Sequence, residues 1–361
     1  MALQLQHTFT GHTDKCWSIS VHKTLPLLAS VSSDKTCRIY NTNTRKLVSI
    51  LDENTHTKTM RSVAFKPTGD FPSLAIGSFD STISIWGKDS DDFTDEESMN
   101  NTNNNNEWML LAILEGHENE VKCVDWSFDG TYLASCSRDK SIWIWETDET
   151  NEEFECINVI QEHDQDVKYV DWHPARNVLS SCSYDDTCRV YKQDEYDEDD
   201  WTCVCNLTGA QGTVWCSDFE DGDGQSSLRL VNCSDDSKVR VWKKLTGKDN
   251  ENGALPSTLK DEEEWELDSL LPSVHESSVY GVAWSSNGLI ASCGSDGKIA
   301  VYKEQAKLNS YSNKQESEWV VLATVSLAHG VYEINCVKWG ADNQLFTAGD
   351  DGNVKLWKLD I

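Results

Sequence analysis

Six histidines each precede an aspartate by 21 to 24 residues: His12 and Asp34, His56 and Asp80, His117 and Asp139, His163 and Asp185, His275 and Asp296, His329 and Asp351. A seventh aspartate, Asp236, follows the stretch GAQGTVW, in which Ala210 stands where the histidine belongs. Histidine beside carboxylate could do general acid–base chemistry or hold a metal ion. The 13 cysteines could add thiolate ligands. Such chemistry needs several groups converging on one point, whereas these pairs recur once per repeat along the whole chain. The regular recurrence therefore points to a structural tie, in which each histidine bonds its aspartate together with a Ser or Thr and a Trp. A charge-assisted hydrogen bond of that kind contributes about 1.5–3 kcal/mol. Ala210 predicts a weaker tie in the fifth repeat, and predicts that Ala210→His raises the melting temperature.

The elements that would position these pairs follow from what lies around them. Each aspartate sits six residues before an aromatic: Tyr40, Trp86, Trp145, Tyr191, Trp242, Tyr302 and Trp357. The seven copies are SSDKTCRIY, SFDSTISIW, SRDKSIWIW, SYDDTCRVY, SDDSKVRVW, GSDGKIAVY and GDDGNVKLW. Turn residues followed by period-two alternation mark a hairpin and a strand. Two further apolar runs lie between each histidine and its aspartate, such as VKCVDWS and YLASCS after His117. The pattern resembles the WD40 family, whose blades are four antiparallel strands. The resemblance implies an all-β fold, a single seven-bladed propeller over residues 1–361. The stretch LQLQHTFTGH stands to His12 as WMLLAILEGH stands to His117. Residues 2–9 are thus expected to supply the outer strand of the last blade, protecting an edge that would otherwise recruit other chains. Loss of residues 1–10 should give insoluble protein.

Extra length falls in four places, near residues 88–107, 193–200, 243–264 and 303–318. All four follow the third strand of a blade and so belong to one rim. They are polar or acidic, and their composition suits disorder or a docking or modification segment.

The balance of 61 acidic against 31 basic residues gives a net charge of -30. Phosphate backbones and anionic lipid surfaces would repel such a chain. Residues 1–11 have neither a basic start nor an apolar run, and no window is long and apolar enough for a membrane helix. The thiols are expected to be reduced, in cytosol or nucleus. No glycine-rich phosphate loop, Gly-x-Ser-x-Gly elbow or His-Glu-x-x-His motif occurs. No Cys-x-x-Cys pair occurs either, the closest spacing being Cys203 and Cys205. Cys136, Cys182, Cys233 and Cys293 repeat at one blade position, which suits small buried apolar side chains better than one shared metal. No cofactor and no metal site are expected.

The step of five residues past each histidine carries Trp17, Arg61, Lys122, Lys168, Trp215 (counted from Ala210) and Tyr280; one extra residue places Asn335 there in the last blade. These positions begin the innermost strand and are expected at the mouth of the central channel. The residue before each aspartate points to the same face: Ser33, Phe79, Arg138, Tyr184, Asp235, Ser295 and Asp350. Arginine and aromatic residues are common interface anchors. Basic groups among aromatics suit an acidic peptide, or a carboxylate with an aromatic neighbour. The competing reading is that these side chains pack over neighbouring loops or pair with local carboxylates.

Longer stretches carry a closer resemblance. LDENTHTKTMRSVAFKP, GSFDSTISIWGK, LLAILEGHENEVKCVDWS, CSRDKSIWIWETDE, QEHDQDVKYVDWHP, SSCSYDDTCRV and AHGVYEINCVKW resemble the WD-repeat scaffold family of cytosolic iron–sulfur protein assembly (CIA). The resemblance implies a non-enzymatic scaffold that helps deliver clusters to cytosolic and nuclear apoproteins while holding none itself. It implies three partners: a small acidic CIA adaptor, a large helical-repeat targeting subunit, and an iron-only-hydrogenase-like cluster carrier. It also implies that Arg138, in SRDKS, is an exposed partner contact. Two other functional classes make different predictions. A WD40 substrate receptor of a ubiquitin ligase often carries a Trp-Asp-x-Arg motif, which is absent here. A metal or redox enzyme built on the cysteines would purify with stoichiometric iron or zinc.

Overall fold

The computed structural model describes residues 2–51, 54–88, 108–148, 150–194, 197, 199–221, 228–245, 263–308 and 315–360. Seven four-stranded antiparallel sheets are arranged as the blades of a propeller. Blade 1 runs through Cys16–Val21, Leu27–Ser32, Cys37–Asn41 and Leu47–Leu51, from the innermost strand outward. The other blades follow the same meander, and their seven innermost strands neighbour one another in a closed ring. The seventh sheet takes its outer strand from the start of the chain: Ala2–Phe9 pairs with Val354–Asp360, from Ala2 opposite Asp360 to Phe9 opposite Val354. The expected closure of the ring is therefore present, and this blade has no open third-strand edge.

Burial explains the sequence pattern. The second strands Leu27–Ser32, Ser73–Ser78, Tyr132–Ser137 and Val178–Ser183 are buried at every residue, because both faces of each blade are covered by neighbouring blades. Core clusters accordingly span adjacent blades, as where Leu74 and Ile76 of blade 2 meet Ile39 and Val31 of blade 1. Outer strands are half exposed, for example Met109–Glu115.

After each repeat aspartate the chain turns through a left-handed residue. Lys35, Ser81, Lys140, Asp186 and Ser237 adopt φ between 64° and 76°, and Gly297 and Gly352 hold the same place in blades 6 and 7. Five side chains tolerate this costly region because the aspartate caps the turn. In blade 1 the Asp34 carboxylate accepts hydrogen bonds from the Thr36 amide at 3.0 Å and the Thr36 hydroxyl at 2.7 Å.

The four insertions do join third to outer strands, but disorder is too broad a description of their flanks. Lys303–Leu308 continues the third strand of blade 6 and pairs with Gln315–Val320 of the outer strand as a two-stranded ribbon. Pairing satisfies its backbone, and Arg229 of blade 5 anchors it by donating to Glu304 at 2.9 Å. Gln193 ends a strand, Lys243 and Lys244 lie in one, and Lys88 is buried. Asp194, Asp197 and Asp200 form a hydrogen-bonded turn. Residues 89–107, 195–196, 198, 246–262 and 309–314 lie outside the described residues.

Candidate partner-binding face

The repeat histidines and aspartates form one wiring in six blades. In blade 3 the Trp145 indole donates to the Ser135 hydroxyl at 3.0 Å, Ser135 lies 2.8 Å from His117 Nε2, and His117 Nδ1 lies 2.8 Å from the Asp139 carboxylate. The corresponding Nδ1–carboxylate distances are 3.0 Å for His12 and Asp34, 3.1 Å for His56 and Asp80, and 2.8 Å for His163 and Asp185. They are 3.1 Å for His275 and Asp296 and 2.7 Å for His329 and Asp351. Blade 2 takes its hydroxyl from Ser84 on the third strand and blade 7 from Thr347. Burial opposes the carboxylate charge, yet hydrogen bonds from the histidine and neighbouring hydroxyls or amides outweigh it and hold Asp34, Asp80, Asp139 and Asp185 below the usual carboxylate range. These groups lie one to a blade and are spent on each other.

Blade 5 corrects the expectation of a weaker tie. The space left by Ala210 is taken by Arg240, four residues after Asp236 on the third strand. Its guanidinium donates to Ser234 Oγ at 3.0 Å, to Asp236 Oδ1 at 3.1 Å, and to the Gly209 carbonyl at 3.0 Å. A second bond to Asp236 Oδ2 makes the pair bidentate. Arg240 and Asp236 are each nearly inaccessible, with side-chain exposures of 4% and 6%. Arg38 and Arg189 occupy the same repeat position, but there a histidine already holds the aspartate, and Arg189 instead donates to Glu162. The signal was present in the sequence as an arginine at this step in the one blade lacking histidine.

The residues five steps past the histidines share a backbone cause. Every innermost strand carries a β-bulge that skips one residue of the ladder, and the skipped residues are Trp17, Arg61, Lys122, Lys168, Trp215, Tyr280 and Asn335. A bulge releases a residue from the pleat and re-aims its side chain. The residues before them, Cys16, Met60, Val121, Val167, Val214, Val279 and Ile334, are buried.

Six of the seven side chains, with residues of the turn before Asp, form an arc of three contact groups around the innermost strands. The Arg61 guanidinium lies 4.8 Å from the Trp17 ring centre, and Lys122 lies 4.2 Å from that of Phe79. Lys168 lies between Tyr184 at 5.0 Å and Trp215 at 5.6 Å, and Trp215 meets Tyr280 edge to face at 5.2 Å. Arg138 is exposed and joins the arc through Glu120, which it contacts at 3.3 Å and Lys122 at 3.7 Å. Lys168 has Asp166 at 3.2 Å. Asn335 stands apart, donating to Asp350 and to the Cys16 carbonyl. Local carboxylates thus meet part of the positive charge, and among the described residues none pairs with half-buried Arg61. Desolvation lowers the pKa of Lys122 to about 8 against the opposing pull of Glu120, with Lys168 and Arg61 lowering it further.

Below the arc lies a channel network the sequence did not reveal. Lys338 of blade 7 donates to the Tyr169 hydroxyl of blade 4 at 2.8 Å, spanning the ring. Asp125, Asp171 and Asp218 each accept a backbone amide of the next blade, from Trp172, Phe219 and Trp284. Desolvation raises all three above the usual carboxylate range, Asp218 to about 6. All 13 cysteines are free, and burial pushes Cys136, Cys182, Cys233 and Cys293 well above the ordinary thiol range. Among the described residues no group of three His, Cys, Asp or Glu side chains could hold a metal ion, and no helix is long and apolar enough to cross a membrane.

Seven copies of the "WD domain, G-beta repeat" family model match the chain, at residues 3–41, 45–87, 108–146, 154–192, 201–243, 269–303 and 320–358. The chain is also 53% identical over 392 residues to the "probable cytosolic iron-sulfur protein assembly protein 1" of Candida albicans, with 99% of this chain and 100% of the relative covered. Proteins of the same description from Candida dubliniensis (51% over 388 residues, 99% and 100% covered) and Kluyveromyces lactis (49% over 363 residues, 99% and 98% covered) are similar throughout their length. From the seven bulged blades to the full-length identity, the chain belongs to the WD-repeat family and, within it, to the group of the yeast cytosolic iron-sulfur protein assembly proteins.

Proposed function

We propose that this protein is a non-catalytic scaffold of cytosolic iron–sulfur protein assembly, acting in cytosol and nucleus to help pass clusters to apoproteins. Full-length identity to the yeast assembly proteins is the observation that carries this reading, and the cations and aromatic rings at the start of the innermost strands supply its candidate binding surface. In a chain of net charge -30, Arg61, Lys122 and Lys168 gather beside half-buried aromatic rings, with Glu120 and Asp166 paired to the two lysines and Arg61 left without a carboxylate among the described residues. Such a surface favours an acidic partner through charge-assisted bonds and gives it aromatic anchors. Trp17, Arg61, Phe79, Lys122, Arg138, Lys168, Tyr184, Trp215 and Tyr280 are the proposed contacts. The partners fitting this role are the acidic adaptor, the helical-repeat targeting subunit and the hydrogenase-like cluster carrier.

The test is Arg138→Glu, which removes an exposed cation and repels an acidic partner without touching the core. Capture of the purified adaptor and carrier should fall at least tenfold while the melting temperature stays within 1–2 °C, as is usual for a surface change. The same capture should weaken as pH rises past about 8, where Lys122 loses its charge. Unchanged capture by Arg138→Glu, or affinity that is flat from pH 7 to 9.5, defeats the reading.

A further inference from the structure

The loops carrying the repeat histidines provide an internal comparison. Six of them read TGHTDK, NTHTKT, EGHENE, QEHDQD, TGAQGT and SVHESS; the seventh, residues 327–333, is LAHGVYE. Two residues before the histidine position the first six carry Thr10, Asn54, Glu115, Gln161, Thr208 and Ser273, all polar. The seventh carries Leu327 there, and after His329 it carries Val331 and Tyr332, with one residue more than the others have.

These three apolar side chains point to solvent, with exposures of 65%, 89% and 51% for Leu327, Val331 and Tyr332. Together they present on the order of 300 Å² of apolar surface, the size of the largest patch on a typical monomer. The loop is also held in shape. Leu327 adopts φ 52°, a left-handed conformation that a leucine enters only when its surroundings impose it, and Gly330 adopts φ 69°. The Gly330 amide donates to the Leu327 carbonyl at 2.9 Å, closing a tight turn that gathers the apolar residues. Below it Ala328 and His329 are buried, the Ala328 amide donates to the Gly297 carbonyl at 3.0 Å, and Lys355 donates to the Ala328 carbonyl at 2.8 Å. Holding an exposed leucine in this conformation on a pinned base is the arrangement of a preorganised contact, which loses little freedom on binding.

The surrounding charges select what can cover it. Glu333 follows Tyr332 directly, exposed Glu276 on the adjacent blade 6 loop is paired with Lys298 at 2.7 Å, and the chain as a whole carries a net charge of -30. A second copy of this chain would bring a net charge of -30 against its own kind, and an anionic lipid surface is repelled in the same way. We propose that the 327–333 loop is a second docking element, which inserts Leu327, Val331 and Tyr332 into an apolar groove of a partner protein whose rim carries lysine and arginine. The cation–aromatic arc takes an acidic partner, so the one face offers two chemically opposite surfaces and can hold two unlike proteins together.

The test uses the full chain with Val331 replaced by the photo-crosslinker p-benzoylphenylalanine, expressed and irradiated in yeast. The expected result is one discrete protein adduct whose cross-linked peptide is apolar and flanked by lysine or arginine. Adduct yield should fall at least tenfold in the Leu327→Ser/Tyr332→Ser background and stay within twofold in the Arg138→Glu background. The second comparison separates this surface from the arc, so the two readings fail independently. Adducts to a second copy of this chain or to lipid, an acidic cross-linked peptide, no adduct, or equal loss in the Arg138→Glu background each overturn the proposal. An unchanged melting temperature in the double variant shows that the contact, and not the fold, was removed.

Discussion

Replacing Arg240 with alanine should destabilise the propeller more than most single changes. The guanidinium and the Asp236 carboxylate are both nearly inaccessible, and their bonds reach Ser234 and the Gly209 carbonyl as well as each other. Removing the arginine leaves a buried carboxylate without its counter-charge, a loss of about 3–5 kcal/mol. It also frees the Ser234 hydroxyl and the Gly209 carbonyl from this donor, so the upper part of that range is expected. Unfolding entropy scales with chain length, and for 361 residues each kcal/mol shifts the melting temperature by roughly 1–1.5 °C, giving a fall of about 4–7 °C. The assay is urea and thermal denaturation followed by circular dichroism. Ala210→His provides the control. With Arg240 in place the introduced imidazole competes for an occupied site and should lower the melting temperature. With Arg240→Ala and Asn232→Ser, which restores the hydroxyl position of blades 1, 3, 4, 6 and 7, it should recover at least half of the loss. A loss below about 1 kcal/mol for Arg240→Ala, or stabilisation by Ala210→His alone, refutes the substitution of arginine for histidine.

Two further outcomes follow from the same structure. Deleting residues 1–10 removes the strand paired with Val354–Asp360 and opens the edge of that third strand, so the truncated protein should elute as aggregate in size-exclusion chromatography, and a monodisperse, folded truncation counts against closure by this strand. Acid should destabilise the fold through the repeat aspartates. Their folded pKa values lie below the unfolded value of about 3.9, with Asp351 at about 2, so their stabilisation is complete above about pH 5 and is lost as pH falls through the unfolded value and on through the folded values. The urea midpoint should drop steeply from pH 5 to pH 2, and Asp139→Asn should flatten that slope; a midpoint that holds steady on acidification contradicts the linkage.

Much of the fold was legible because repetition amplifies weak signals. One Ser-Arg-Asp-Lys turn says little, whereas seven aspartates each six residues before an aromatic define a register and a blade count. The donation of residues 2–9 to the last blade could be read by aligning LQLQHTFTGH with WMLLAILEGH. The ribbon at Lys303–Leu308 was not legible, since its polar residues look the same whether solvated or paired across two strands. The role of Arg240 is not legible locally, because the arginine that fills the place of the missing histidine lies 30 residues after Ala210 in sequence.

By itself the sequence determined the seven-fold repeat, the strand alternation, the aspartate-capped turns and the candidate face residues, because each is set by local spacing and by periodicity along one strand. Only the tertiary structure decided what those residues do together. The seven bulges that aim Trp17 through Asn335 out of the ladder are properties of pairing with a second strand. The spacing of Lys122 over Phe79 and Lys168 over Trp215 crosses between blades. The Lys338 bond to Tyr169 crosses the ring. Contacts between distant segments depend on how blades twist and close against one another, and no stretch of sequence encodes that alone.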